Sequence, residues 1–441
     1  MTLAHGLGGS TDLPIPFSYA LIGAAWALTF SFAVLALAWR KPRLSAAAPG
    51  LPVPKQIGAV LDSPALRVTI GTVSVLFTGV VVALAMFGSS TASRNPLPGV
   101  LYVFVWVGVM LASVVLGPVW KVISPVRAIH RLLCRVLDRQ VDAAVLRYRP
   151  AWGYWPGVAG LFAFVWMELA SPDPGSVRTV GIWCACYLVV TLSGLLLFGT
   201  DWAENADPFE VYSSLVGHLS PLARLPDRSL TLRWPLNNLA GVPVRPGLVA
   251  LVATLLGSTA YDSFAAFPQW ADVLARTTSD VVETLLRTGG LLGFVAGVGL
   301  IFWLAARATG GLNRSERALL PGRLAHSIVP IVVGYIVAHY LTFLVEKGQA
   351  TLVLFADPFD RGWNLAGLAG RDVDYILSTH PTLLVTLKVL SVLSGHILGV
   401  IAAHDRSLAL LPPAYRLTGQ LALLLTMVGF TFGGLYLLFG G

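Results

Sequence analysis

His339 and His396 stand inside two long apolar runs, GRLAHSIVPIVVGYIVAHYLTFLVEKG (Gly322–Gly348) and PTLLVTLKVLSVLSGHILGVIAAHDR (Pro381–Arg406). A titratable ring at bilayer depth is costly, so it faces a bundle interior, a cavity or a partner. Two carboxylates share that setting, Asp262 in GLVALVATLLGSTAYDSF and Glu168 in WPGVAGLFAFVWMELA. Counted at 1.5 Å per residue, His339 and Asp262 each lie roughly 20 Å along their helices, and Glu168 a little further out. His339 and Glu346 are seven residues apart, about 20° on a helix, with Tyr335 one turn earlier on the same face. Imidazole and carboxylate together suit a divalent metal, zinc above all, whose bound water becomes a nucleophile near neutral pH. On that expectation His339, Asp262 and His396 are the ligands, and Glu346 or Glu168 is the general base. His5, His380, Tyr335 and Lys388 are further candidates. There is no HExxH motif, so the metal is expected from residue types alone. The bland alternative is that these groups hydrogen-bond between helices.

Positioning them falls to helices. The chain has 441 residues, 56% hydrophobic and 12% charged, about half the charge of a soluble domain. Ten apolar stretches are long enough to cross a bilayer, near 17–39, 66–88, 98–119, 152–170, 179–200, 247–265, 288–308, 325–346, 382–403 and 417–439. Backbone groups in lipid must be satisfied internally, so the fold class is all-α, a polytopic transmembrane bundle of about ten helices. With both termini outside, 22 of the 30 Lys and Arg residues fall in the cytoplasmic stretches 40–67, 120–150, 201–246, 307–324 and 404–416. The reversed orientation inverts that bias, so a multi-pass plasma-membrane protein is expected. The net charge of +8 is then positive-inside charge, and no nucleic-acid partner is implied.

A single integral membrane domain over 1–441 carries three notable connections. Residues 120–150 place Arg127, Arg131, Arg135 and Arg139 at four-residue spacing among leucines and valines, an amphipathic basic helix for the cytoplasmic bilayer surface. Residues 201–246 read as a Pro- and Gly-punctuated cytoplasmic connector with a hairpin near Ser229–Trp234. Residues 348–381 form an extracellular loop that could act as a lid over an outward-facing cavity. Three cysteines without a CxxC give no disulfide framework. Gly289, Gly293 and Gly297, and Gly429 with Gly433, permit close helix packing, inside the bundle or in a homo-oligomer.

HGLGGSTDLPIP at 5–16, NADPFEVY at 205–212, LLGSTAYDSF at 255–264, HSIVPIVVGYIVAHYLTFLVEKGQ at 326–349 and GHILGVIAAHD at 395–405 together resemble a family of actinobacterial polytopic membrane proteins. Some members of it carry the label fenitrothion hydrolase. The resemblance implies hydrolysis of an organophosphate-like, apolar ester, with a metal in attendance, and transfers no catalytic residue. The expected functions are therefore a metal-dependent membrane hydrolase acting on an apolar small molecule, a transporter or channel using intramembrane His and carboxylates, and a copper- or haem-handling membrane protein. Five Met and three Cys argue against a soft Cu(I) path.

Overall fold

The computed structural model describes Leu13, residues 15–225, Asp227 and residues 229–440. The described residues are mostly helical, and nine helices among them are long and apolar enough to span a bilayer. In chain order the elements used below are α1 (Phe17–Ala38), α2 (Pro64–Phe87), α3 (Leu97–Leu116), α4 (Pro125–Val136), α5 (Trp155–Leu169), α6 (Val177–Phe198), α7 (Pro208–Gly217), α8 (Leu248–Ala265), α9 (Asp280–Arg307), α10 (Arg314–Leu354), α11 (Pro381–Leu410) and α12 (Leu421–Phe439). The all-α bundle and multi-pass membrane character expected from composition are what the chain adopts. Large side chains such as Phe30, Leu37, Leu76 and Leu300 stay exposed on the outer faces, as they do where lipid rather than water is the surrounding medium.

One of the ten expected spans, the fourth in chain order, is shorter than the rest. The stretch 152–170 becomes α5, 15 residues long, or about 22 Å against a hydrocarbon core of ~30 Å. Gly153 at φ 45° and Pro156 set its start, and the chain leaves helix at Ala170, ahead of Pro172 and Pro174. Of the about ten spans expected, nine among the described residues are long and apolar enough to cross a bilayer, and 152–170 falls short of that length.

The connector 201–246 is also more than a connector. Its helix α7 is buried along nearly its whole length and packs on α3, α5 and α10. Tyr212 packs tilted against Trp106 at 5.0 Å between ring centres, and Phe209 meets Phe164 at 5.5 Å. Its polar letters misled the sequence reading because each finds a partner inside the protein. Asp207 caps α7 through the amides of Phe209 and Glu210, and Glu210 holds Arg127. The expected hairpin is present as β2 (Leu222–Arg224) and β3 (Leu230–Leu232), antiparallel, with β1 (Leu51–Pro52) on the other edge of β3.

Close packing uses glycines other than those the GxxxG patterns suggested. A Cβ on Gly289, Gly293, Gly297, Gly429 or Gly433 meets nothing within 4 Å among the described residues. The tight crossing is between α10 and α11, where a Cβ on Gly395 would come 2.5 Å from the Pro330 carbonyl and 3.2 Å from Gly334 Cα. Backbone cannot swing aside as a flexible side chain can, so Gly395→Ala is expected to lower stability by about 1–3 kcal/mol. Thermal unfolding in detergent checks this. A melting temperature equal to wild type contradicts the crossing.

Candidate functional site

Near the end of α8, Asp262 and Ser263 occupy successive positions, and their side chains close on the same ring from two sides. His339 of α10 places Nε2 2.8 Å from Asp262 Oδ2 and Nδ1 2.9 Å from Ser263 Oγ. Two tyrosines of the same helix extend the contacts. The Tyr340 hydroxyl donates to Asp262 Oδ2 at 2.8 Å, and the Tyr335 hydroxyl donates to Ser263 Oγ at 2.9 Å. Tyr335, Ser263, His339, Asp262 and Tyr340 therefore form one hydrogen-bonded chain. Ser263 and His339 are wholly buried, whereas the Asp262 side chain keeps 12% of its surface exposed. The chain is open at its carboxylate and sealed elsewhere.

The arrangement is satisfied in two protonation states of His339. An aspartate only accepts, so Nε2 carries a hydrogen toward Asp262. In the neutral ring, Nδ1 accepts from the Ser263 hydroxyl. In the imidazolium, Nδ1 donates to Ser263 Oγ, and the serine hydrogen turns to the Thr259 carbonyl, 3.3 Å away. One hydroxyl rotation separates the two patterns.

Glu168 of α5 lies within electrostatic reach of Asp262, Tyr102, Tyr212 and Tyr340. Its Oε2 and the Tyr212 hydroxyl are buried without a hydrogen-bond partner among the described residues, and Trp106 Nε1 lies against the Tyr340 hydroxyl. One acceptor and one donor thus lie unpaired within reach of Glu168, and buried groups of this kind are normally satisfied by water or a ligand.

The other sequence candidates lie in different surroundings. Glu346 does not share the His339 face. The helix widens to a π turn over Phe343–Lys347, which changes the number of residues per revolution and cancels the seven-residue alignment. Glu346 instead accepts from Ser378, 2.9 Å from its amide and 2.7 Å from its hydroxyl, tying down the loop after α10, which begins beyond Leu354 rather than at the expected 348 because the helix continues through Gly348–Leu354. The His380 ring contacts the Ile376 carbonyl in its own turn. His396 Nδ1 contacts the Val392 carbonyl at 2.8 Å, and its Nε2 is buried with no hydrogen-bond partner among the described residues. Lys388 is fully buried in α11. His5 lies outside the described residues.

A metal fits this set poorly. A ligating imidazole offers one ring nitrogen to the ion and donates from the other, yet both nitrogens of His339 are engaged by side chains. Among the described residues no three His, Cys, Asp or Glu side chains are grouped to hold an ion. Sequence reading missed Ser263 and Tyr340. Each directly follows a residue that was singled out, in YDSF and AHYL, and only the third dimension shows that both neighbours point at the same site.

A second polar cluster sits at the start of α7, against α6 and Trp120. Asp207 Oδ2 accepts from Tyr187 at 3.0 Å and Trp120 Nε1 at 3.2 Å. Burial, then the nearby Glu210 carboxylate, push its pKa up to about 7, against the pull of those donors. The ordinary unfolded value is ~3.9. A raised carboxyl pKa means the folded state binds the proton more tightly, so stability is expected to fall as pH rises from about 4 to 7 and then level off. Asp207→Asn is expected to flatten that part of the curve, an effect on the order of a few kcal/mol. Melting temperatures between pH 4.5 and 8 decide it, and parallel curves for both proteins count against this account.

The chain matches no family model, no curated protein and no solved structure.

Proposed function

We propose that this chain is a membrane transporter in which the Asp262–His339 pair binds and releases a proton. The observation that carries the reading is the unbroken chain Tyr335–Ser263–His339–Asp262–Tyr340, buried except at its carboxylate. Ionisable groups at membrane depth are expensive, and proton relays are among the uses that retain them. On the orientation given by the basic residues, Asp262 opens toward the outer side. The Glu168 and Tyr212 atoms without a partner among the described residues favour a water molecule or a small polar solute beside it. The test is proton flux into dye-loaded proteoliposomes under an imposed pH gradient, comparing wild type with Asp262→Asn. Flux that wild type carries and the variant lacks is the expected result. Wild type no faster than empty liposomes overturns the reading.

One observation favours hydrolysis as a second reading. Ser263, His339 and Asp262 stand in the order of a nucleophile, a base and a carboxylate, in keeping with the label on the family the sequence resembles. Ser263 and His339 have no exposed surface, which argues against ester access. Covalent labelling of Ser263 by a fluorophosphonate, lost in Ser263→Ala, favours the hydrolase over the transporter.

A further inference from the structure

Arg127 is held by Glu210; Arg131 and Arg135 follow it on α4, which ends at Val136 rather than spanning the expected 120–150, and Arg139 lies just beyond the helix. Among the described residues, no carboxylate lies within ion-pair distance of Arg131, Arg135 or Arg139. Arg131 is half-buried and donates from Nε to the Arg127 carbonyl at 3.2 Å. Its outer guanidinium nitrogen lies over α2, 3.7 Å from where a Cβ on Gly71 would sit. Arg67 is one turn before Gly71 on that helix. Among the described residues its one acid is Asp62 at 3.8 Å, and Asp62 is closer to Arg224, at 2.9 Å. Burial, then Arg127, Arg135 and Arg67, disfavour the Arg131 cation. The seam between α2 and α4 therefore gathers same-sign charge that the described residues do not neutralise.

The same seam is apolar at its edge. Leu132, Val136 and Leu137 on and just after α4 are 51%, 75% and 57% exposed, and Val68 on α2 is 49% exposed. Free phosphate would satisfy the arginines and leave these side chains in water. A phospholipid satisfies both, with phosphate on the guanidinium groups and acyl chains against the leucines and valines. We propose that the seam between α2 and α4 binds the phosphate headgroup of an anionic phospholipid, with Arg67, Arg131 and Arg135 as its cations.

The experiment is native mass spectrometry of the full-length protein in detergent, titrated with phosphatidylglycerol or phosphatidylcholine. Wild type is expected to retain phosphatidylglycerol preferentially. In the Arg131→Gln, Arg135→Gln double variant the phosphatidylglycerol affinity is expected to fall roughly 30-fold, from two basic residues at a membrane surface, with phosphatidylcholine unchanged. Arg131→Lys, Arg135→Lys keeps the charge and is expected to keep most of the preference, which separates loss of the site from loss of folding. Arg371→Gln, in the loop after α10, is expected to change nothing. Equal retention of the two lipids by wild type, or displacement of phosphatidylglycerol by millimolar inorganic phosphate, overturns the proposal.

Discussion

Asp262→Asn is expected to reduce proton flux about a hundredfold or more, the lower range of what a positioned proton-transfer group contributes. The substitution is nearly isosteric. The amide oxygen of the new side chain can still accept from Tyr340 and from His339 Nε2, the two bonds Asp262 Oδ2 receives, so the bundle is expected to stay folded. The variant loses the negative charge that stabilises an imidazolium on His339, and the member of the chain with exposed surface no longer titrates. Ser263→Ala serves as the companion variant. It leaves Asp262 intact but removes the hydroxyl that lets Nδ1 alternate between accepting and donating, and it is expected to slow flux as well. Infrared spectra of the reconstituted protein provide a readout independent of any solute. A carboxyl C=O band that titrates in wild type and is missing in Asp262→Asn supports the assignment. Wild-type flux in both variants would sink it.

The largest effect on stability is expected at Arg127. Its guanidinium grips Glu210 with two bonds, Nε to Oε2 at 2.5 Å and Nη2 to Oε1 at 2.6 Å. The Glu210 side chain is 1% exposed and that of Arg127 14%. Burial disfavours the Arg127 cation, and the hydrogen bonds and charge of Glu210 outweigh it, so the guanidinium pKa is raised. Arg127→Ala strands a buried carboxylate between α4 and α7, beside Asp207. The expected cost is about 3–5 kcal/mol, the range for breaking a buried pair by removing one partner. Glu210→Gln in the Arg127→Ala background removes the stranded charge and is expected to restore a large part of that loss, and the double-mutant cycle gives the coupling directly. An Arg127→Ala melting temperature near wild type contradicts this account, because α7 would then be held by its aromatic contacts alone. The effect reaches the site, since α7 carries Tyr212 against Trp106 and within reach of Glu168.

Apolar length and charge distribution determined, without any tertiary information, that this chain is a helical multi-pass membrane protein. Both are properties of single segments, and a bilayer tests each segment separately. The same local reasoning marked Asp262, His339 and Tyr335, because an ionisable or hydroxylated side chain in an apolar run is conspicuous. It also placed a hairpin near Ser229–Trp234, where β3 pairs with β2. Tertiary structure decided what single segments do not encode. It brought Ser263 and Tyr340 into the site from the far sides of a helix crossing. It turned Glu346 away through one widened turn, so that the carboxylate expected beside His339 binds Ser378. It drew the polar stretch around Asp207 and Glu210 into the bundle, since a buried carboxylate is tolerable only where a second segment supplies its donors, here Trp120, Arg127 and Tyr187. It also engaged both nitrogens of His339 with Ser263 and Asp262, a pairing that residue types at any spacing leave open.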